Sequence, residues 1–140
     1  MKKVEKRLFH PLGTVLKKIT ESKSIKKLVP DVYEFIFTAN KLRFEVDDAF
    51  ALYEKERMII VKSCAKKKEG GEVILGENGT YVIDPEMLEI FNEKLDKLMK
   101  ETVEMEIPAV SRDICKTILL ECDLTADESA CITNYFLVEA

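Results

Sequence analysis

The residues of this sequence that could do nucleophilic or metal chemistry are four cysteines and one histidine, His10. The cysteines are Cys64, Cys115, Cys122 and Cys131, and no two of them form a C-x-x-C pair. A zinc site needs four ligands that converge in space, and a Cys–His or Ser–His–Asp site would have to use His10. Cys115 and Cys122 lie seven apart and could share a helix face. We therefore expect buried thiols in a reducing compartment, with no catalytic, cofactor-binding or metal site.

Paired carboxylates are the other candidate for chemistry, because two of them can do acid–base work. Glu104 and Glu106 would share one face of a strand, since residues 102–107 alternate polar and apolar side chains. That alternation predicts that both carboxylates face solvent. No phosphate-binding loop, dinucleotide fingerprint, G-x-S-x-G or H-E-x-x-H sequence is present. The sequence predicts a protein that is not an enzyme.

Basic residues concentrate at the N-terminal end. Residues 1–30 carry a net charge of +7 and residues 31–140 a net charge of −11. The candidate basic patch consists of Lys2, Lys3, Lys6, Arg7, Lys17 and Lys18. Such a patch can bind nucleic acid or an acidic partner, or the basic and acidic ends can attract each other within or between subunits. We favour the attraction, because only Phe9 interleaves the basic residues and the chain as a whole is acidic.

The element that must position these residues is a long amphipathic helix, predicted over residues 30–68. Its apolar seam repeats at spacings of three and four up to Tyr53. The seam consists of Val32, Phe35, Ala39, Leu42, Val46, Ala49, Tyr53 and Ile60. Further apolar residues lie outside the seam, so the helix should be sandwiched between neighbours. We predict that the seam is an interface, covered by the rest of the chain or by a second copy.

The seam is interrupted at Lys55-Glu56-Arg57, where Glu56 occupies an expected apolar position. This is either a solvated turn or an ion pair that sets the register of a dimer. Positive residues at 62 and 66–68 would close the helix at the negative end of its dipole, and Gly70-Gly71 would stop it.

The remaining elements complete one predicted domain, 1–140. Residues 1–29 form the basic segment and a short helix. Residues 1–10 could be an edge strand or a helical turn, and residues 20–27 are predicted to be a loop. Between them lies the short helix, whose apolar stripe is Leu12, Val15, Leu16 and Ile19.

Residues 72–107 form a hairpin, a helix from Asp84 to about Lys100, and a strand. Asn78-Gly79 is the hairpin signal, since both residues tolerate a positive φ. Residues 111–140 form C-terminal helices, the first capped by Ser111 and the last begun by a capping box at Thr125 and Glu128. The apolar residues of the last helix extend to Val138.

These elements predict an α+β fold that is mostly helical. One long amphipathic helix packs antiparallel on a second helix. A small antiparallel β-hairpin, or a three-stranded sheet in which residues 102–107 pair with Thr80–Ile83, accompanies them. The length is that of a single domain. No stretch reaches the roughly 20 apolar residues that span a bilayer, and no apolar segment follows the basic start, so we expect a cytoplasmic protein.

The order of these motifs resembles an uncharacterised family of tailed-phage and prophage proteins. The matching segments are Lys27-Leu28-Val29-Pro30, Tyr53-Glu54-Lys55-Glu56-Arg57, Glu77-Asn78-Gly79-Thr80-Tyr81, Phe91-Asn92-Glu93-Lys94-Leu95 with Leu98-Met99, Thr102-Val103-Glu104-Met105-Glu106-Ile107-Pro108 and Leu124-Thr125-Ala126-Asp127. Val29 stands where the family pattern has Leu, and the Cys115–Cys122 stretch looks like an insertion. The resemblance implies a phage or prophage origin and supplies no site residues.

The leading functional hypothesis is a non-catalytic phage or prophage accessory protein that works through protein–protein contacts and self-associates in the bacterial host cell. Its partner would be itself, or a host or phage protein. Nucleic-acid binding through the basic segment is the first alternative. Binding of a small molecule such as a defence signal is another, although the sequence points to no pocket residue.

Overall fold

The computed structural model describes residues 1–137, which are mostly helical with one small antiparallel sheet. The strands and helices are β1 (Lys2–Glu5), α1 (Phe9–Glu21), α2 (Lys23–Leu28), α3 (Val32–Cys64), α4 (Leu88–Lys100), β2 (Thr102–Met105), α5 (Arg112–Glu121) and α6 (Ala126–Cys131). This confirms the predicted α+β class, with one long helix among shorter ones.

The chain forms two compact units, and the division between them falls inside α3. The first unit comprises Met1–Phe50 together with the described residues from Thr102 onward, and the second comprises Ala51–Glu101. Whether the whole chain behaves as one domain, as its length suggests, stays a prediction.

The core of the first unit combines apolar faces of α1 and α3 with buried side chains of β1, α5, α6 and the turn after α6. Spacings of three and four along α1 place its apolar side chains on a single stripe. The predicted stripe of Leu12, Val15, Leu16 and Ile19 is fully buried. Each such side chain contributes roughly 1.5–3 kcal/mol when it leaves water. A Cβ on Gly13 of α1 would lie 3.5 Å from Cγ1 of Val46, so the two helices approach closely there.

The sheet of the first unit corrects a predicted pairing. β2 was expected to pair with Thr80–Ile83, but it pairs antiparallel with β1, with Val4 opposite Val103. Alternation along β2 specified its two faces but not its partner, because any edge with free backbone groups can accept it. The N-terminal residues, which the sequence left open between strand and helical turn, are therefore a strand up to Glu5, followed by the 3-10 turn Lys6–Leu8.

Two helix boundaries also differ from the prediction. Residues 20–27 were expected to be a loop, but the short helix α2 forms there because the Ser22 hydroxyl accepts the backbone N–H of Ile25. α3 begins at Val32, with Asp31 accepting the N–H of Glu34, and it ends at Cys64 instead of residue 68. Beyond Cys64 the chain turns extended, and the N–H of Lys66 donates to the carbonyl of Val82.

The second unit holds the predicted hairpin and the antiparallel helix pair. Asn78 and Gly79 both have positive φ, as the turn requires, and Leu75 faces Tyr81 across it in a single bridge. The chain then returns to the end of α3, where the N–H of Asp84 donates to the carbonyl of Cys64. The last turn of α4 lies beside Glu56 and Ile60, so α4 packs antiparallel on this part of α3.

The C-terminal elements follow their predicted caps. Ser111 accepts the N–H of Ile114 at the start of α5, and the capping box of Thr125 and Glu128 begins α6. A π-helical turn, Ile132–Phe136, follows α6 and buries Phe136 completely. The expected contribution of Val138 to the last helix lies outside the described residues.

Candidate functional site

The predicted apolar seam of α3 lies inside the chain. Five of its members are at most 7% exposed: Phe35, Ala39, Leu42, Val46 and Tyr53. The other three, Val32, Ala49 and Ile60, are half-buried. The seam therefore supplies core packing to one copy of the chain, and it could meet a second copy only if that packing opened. As an interface between copies it remains an untested prediction.

The opposite side of α3 carries large apolar side chains that the described residues of the first unit leave exposed. Tyr33 is 87% exposed, Phe37 is 70% exposed and Phe44 is 72% exposed. Their spacings of four and seven place all three within about 40° of one another around the helix, because each residue advances by about 100°. They form a row, which we call the aromatic row. Its three members differ from the predicted seam, since apolar residues occur on more than one side of this helix.

Two opposite charges border the aromatic row. Lys41 and Asp48 lie seven residues apart, which places them on the same side of α3 and roughly 10 Å from each other along its axis. Asp48 forms no ion pair among the described residues, and Lys41 has only a long contact of 3.9 Å with Glu106. Because about 10 Å separates them, the ammonium of Lys41 and the carboxylate of Asp48 cannot form an ion pair with each other within one helix.

A second feature of the first unit is a cleft of about 190 Å³ between α1 and α3. His10 and Lys17 reach it from α1, and Arg43 and Asp47 reach it from α3. The His10 ring lies against Phe50, with ring centroids 5.4 Å apart. Neither Lys17 nor Arg43 forms an ion pair with any residue in the range 1–137. The cleft therefore holds two available cations and one carboxylate.

The six residues of the candidate basic patch do not act alike. Lys18 donates hydrogen bonds to the carbonyl of Asp123 and to the carboxylate of Glu128, so it joins α1 to the α6 region. Arg7 forms a 2.7 Å ion pair with its neighbour Glu5, which raises the pKa of the guanidinium. Lys17 lines the cleft. The remaining three are Lys2 and Lys3 on β1 and Lys6 in the following turn. Nucleic-acid binding by this segment stays a prediction.

Glu128 is the one acidic side chain of the described residues that is almost fully buried. Burial raises its pKa, but hydrogen bonds from the Thr125 backbone and from Lys18 outweigh that effect, so the pKa lies below its ordinary value. The carboxylate is therefore charged and held in place. The Lys18–Glu128 ion pair thus joins the basic N-terminal segment to the acidic C-terminal segment within one chain.

The polar interruption of α3, which the sequence left open, contains a local ion pair. Arg57 donates a 3.0 Å hydrogen bond to Glu54 one turn earlier, and this bond raises the pKa of the guanidinium. The paired carboxylates, Glu104 and Glu106, are both exposed beside the buried Met105, as the alternation predicted. A carboxylate oxygen of Glu106 lies 3.9 Å from the ammonium of Lys41.

The four cysteines are free thiols. Cys64, Cys115 and Cys131 are buried, and burial raises the pKa of the Cys131 thiol to about 11. Cys122 lies just beyond the end of α5, so it does not share a helix face with Cys115. Burial raises the pKa of both of these thiols too. Such thiols are poor nucleophiles, because the thiolate is the reactive form.

No set of three His, Cys, Asp or Glu side chains within residues 1–137 is arranged to hold a metal ion. Among the helices of that same range, none combines the length and the hydropathy needed to cross a membrane. No protein-family model, curated protein or solved structure matches this chain.

Proposed function

We propose that this chain is a non-catalytic protein that works through protein–protein contacts, and that it associates with a second copy of itself through the aromatic row of α3. The observation that carries the proposal is the exposure of Tyr33, Phe37 and Phe44 on one side of a helix whose other side is core. Exposed aromatic clusters of this kind are typical of interaction surfaces, because water contact with large apolar side chains is unfavourable.

The charges beside the row favour a second copy in antiparallel orientation. A two-fold axis passing near Phe44 brings Lys41 of each copy opposite Asp48 of the other and places the two Phe44 rings side by side. In this register Phe37 faces Leu52 of the other copy, a side chain that is 59% exposed. Parallel pairing would instead bring like charges together, which is unfavourable. Each copy thus carries both the positive and the negative member of the pair, as the self-complementary interface of a symmetric dimer requires.

The area of the row indicates a dimer of modest strength. Three aromatic side chains at these exposures offer on the order of 450 Å² per copy, since each can bury about 150–250 Å². Two copies then bury about 900 Å² from the row alone, against the roughly 1,200–2,000 Å² of stable complexes. Flanking polar residues add to this area, so we expect a dissociation constant in the micromolar range.

The resemblance to tailed-phage and prophage proteins supports the rest of the proposal. It favours a phage or prophage accessory protein that acts in the cytoplasm of a bacterial host. A host or phage protein that binds the same aromatic row is the competing occupant.

Sedimentation velocity across a concentration series tests the proposal. The wild-type chain should pass from monomer to dimer, and Phe44→Glu should weaken dimerisation at least tenfold by placing a charge in the apolar contact. Leu120→Glu is the matched control, because Leu120 is 85% exposed on α5 and does not belong to the row. A wild-type chain that remains monomeric, or equal losses in both variants, contradicts self-association through this face.

A charge exchange tests the orientation. Lys41→Asp and Asp48→Lys should each weaken the dimer by placing like charges opposite each other. The double variant should restore dimerisation, because every pair is again of opposite sign. Failure of that rescue would contradict the antiparallel arrangement even if dimerisation itself is observed.

A further inference from the structure

The cleft between α1 and α3 has a composition that the proposed function does not use. We infer that it binds a small phosphate-bearing molecule, with Lys17 and Arg43 as the groups that hold the phosphate. This inference is independent of self-association, because neither residue belongs to the aromatic row.

The positions of the lining residues follow from helix geometry. His10, Gly13 and Lys17 recur at spacings of three and four, so they share one side of α1. Arg43, Asp47 and Phe50 share one side of α3 in the same way. The two sides face each other across the cleft, and cations therefore approach it from both helices.

Gly13 lines the cleft at a point where α1 and α3 lie close together. A Cβ at this position would lie 3.5 Å from Val46 Cγ1 and 3.8 Å from an Asp47 oxygen, so a longer side chain would project into the space between the helices. With glycine, backbone rather than side chain borders the cleft at this point.

The charge of the cleft selects an anion. Lys17 and Arg43 outnumber the single carboxylate of Asp47, and neither cation is engaged in an ion pair with a described residue. A guanidinium matches two phosphate oxygens at once, and an ammonium adds a compact charge that can rotate toward a third. Asp47 can accept a hydrogen bond from a hydroxyl of the bound molecule.

The size of the cleft restricts what enters it. Its volume of about 190 Å³ lies below the roughly 300–1,000 Å³ of pockets that enclose drug-sized ligands. A phosphate group fits, and the remainder of a larger molecule would extend along the His10 and Phe50 rings, which also line the cleft. An organic phosphate with a flat ring system could stack there.

The experiment is an NMR titration of the full chain at constant ionic strength, with inorganic phosphate in one arm and adenosine monophosphate in the other. The amide of Gly13 reports on the cleft, because glycine amides resonate in a region of their own. We expect saturable shifts that include Gly13 in at least one arm. Tighter binding of the nucleotide would assign the site to organic phosphates, and equal or tighter binding of phosphate would assign it to the free anion.

Three variants distinguish the cleft from general attraction to lysines. Lys17→Gln and Arg43→Gln should each weaken binding about tenfold, since a hydrogen bond to a charged group is lost. Lys23→Gln is the matched control: it removes the same charge from α2, outside the cleft, and should leave the affinity unchanged. Asp47→Asn should strengthen binding several-fold, because it removes the repulsion between carboxylate and phosphate while the amide oxygen can still accept a hydrogen bond. A misfolded variant cannot mimic such a gain.

Absence of saturable binding in both arms would overturn the inference. So would an equal loss in Lys23→Gln and Arg43→Gln, because the anion would then be attracted by charge at large.

Discussion

The ammonium of Lys18 donates a 2.9 Å hydrogen bond to one carboxylate oxygen of Glu128, 110 residues further along the chain. The other oxygen accepts the backbone N–H of Thr125 at 2.8 Å. One buried carboxylate therefore closes the capping box of α6 and joins α6 to α1. A charge in this position is stable only while its partners stay in place.

Removal of the ammonium should destabilise the protein. Lys18→Met keeps an unbranched apolar stem but leaves Glu128 with fewer hydrogen bonds, so the free energy of unfolding should fall by roughly 1–3 kcal/mol. Urea denaturation measures the change. Lys17→Met is the matched control, because Lys17 is the preceding residue and its side chain is exposed. The free energy of unfolding of this control should stay within about 0.5 kcal/mol of the wild-type value. Equal effects of the two variants would contradict a structural role for Lys18.

The same carboxylate should produce an acid-dependent loss of stability. Its pKa is lower in the folded chain than in the unfolded chain, so its contribution is complete above the unfolded value of about 4.3. The contribution disappears as the pH falls through the lower folded pKa. The unfolding free energies of wild type and Glu128→Gln should therefore differ most near neutral pH and converge in acid. A difference that is independent of pH would show that the charge is not responsible.

The two sides of α3 should respond differently to truncation. Leu42 is 1% exposed, so Leu42→Ala should cost about 2–5 kcal/mol through the cavity it leaves. Phe44→Ala, two residues later, removes a larger side chain but should change the stability of the monomer by no more than about 0.5 kcal/mol. Urea denaturation at low protein concentration measures both. A large loss in Phe44→Ala would mean that the aromatic row is packed within the chain.

Thiol accessibility should follow burial. Cys122 is half-buried and should be alkylated first by iodoacetamide, whereas Cys64 and Cys131 are fully buried and should react only when the chain unfolds. At about pH 8, on the order of one Cys131 thiol in a thousand would be ionised even if reagent could reach it. Mass spectrometry of timed digests gives the order. Early labelling of Cys131 in the native protein would contradict its placement.

Two glycines should change stability in opposite directions. Gly13 lies inside α1 with ordinary contact distance around a new Cβ, so Gly13→Ala should stabilise the protein by about 0.5–1 kcal/mol. Gly79 has a φ of +71°, so Gly79→Ala should destabilise it by about 1–2 kcal/mol through backbone strain. The shift of the thermal midpoint reports both signs. The same sign in both variants would contradict the assigned conformations.

Local signals carried most of what could be predicted correctly. The α1 stripe, the start of the α4 region at Asp84 and the capping box of Thr125 and Glu128 all depend on residues within one or two helical turns. Those neighbours can be read from the sequence without knowledge of the fold. The short α2 was missed because its six residues are too few for a periodic pattern, and its only mark was the cap at Ser22.

Long-range choices could not be predicted from these local patterns. β2 shows its alternation, but only the folded chain brings β1 beside it. In α3, the spacing placed Phe35 in the seam and Phe37 outside it, but it left open whether the chain itself or a second copy covers the seam. Packing within the first unit buries Phe35 and leaves Phe37 exposed.

By itself, then, the sequence determined the helical class, the long helix and several of the caps, because each arises from neighbours along the chain. Only the tertiary structure decided which side of α3 remains exposed and which charges share a cleft. Lys17 and Arg43 carry no common motif, and they meet because two buried helix faces bring their backbones together at Gly13.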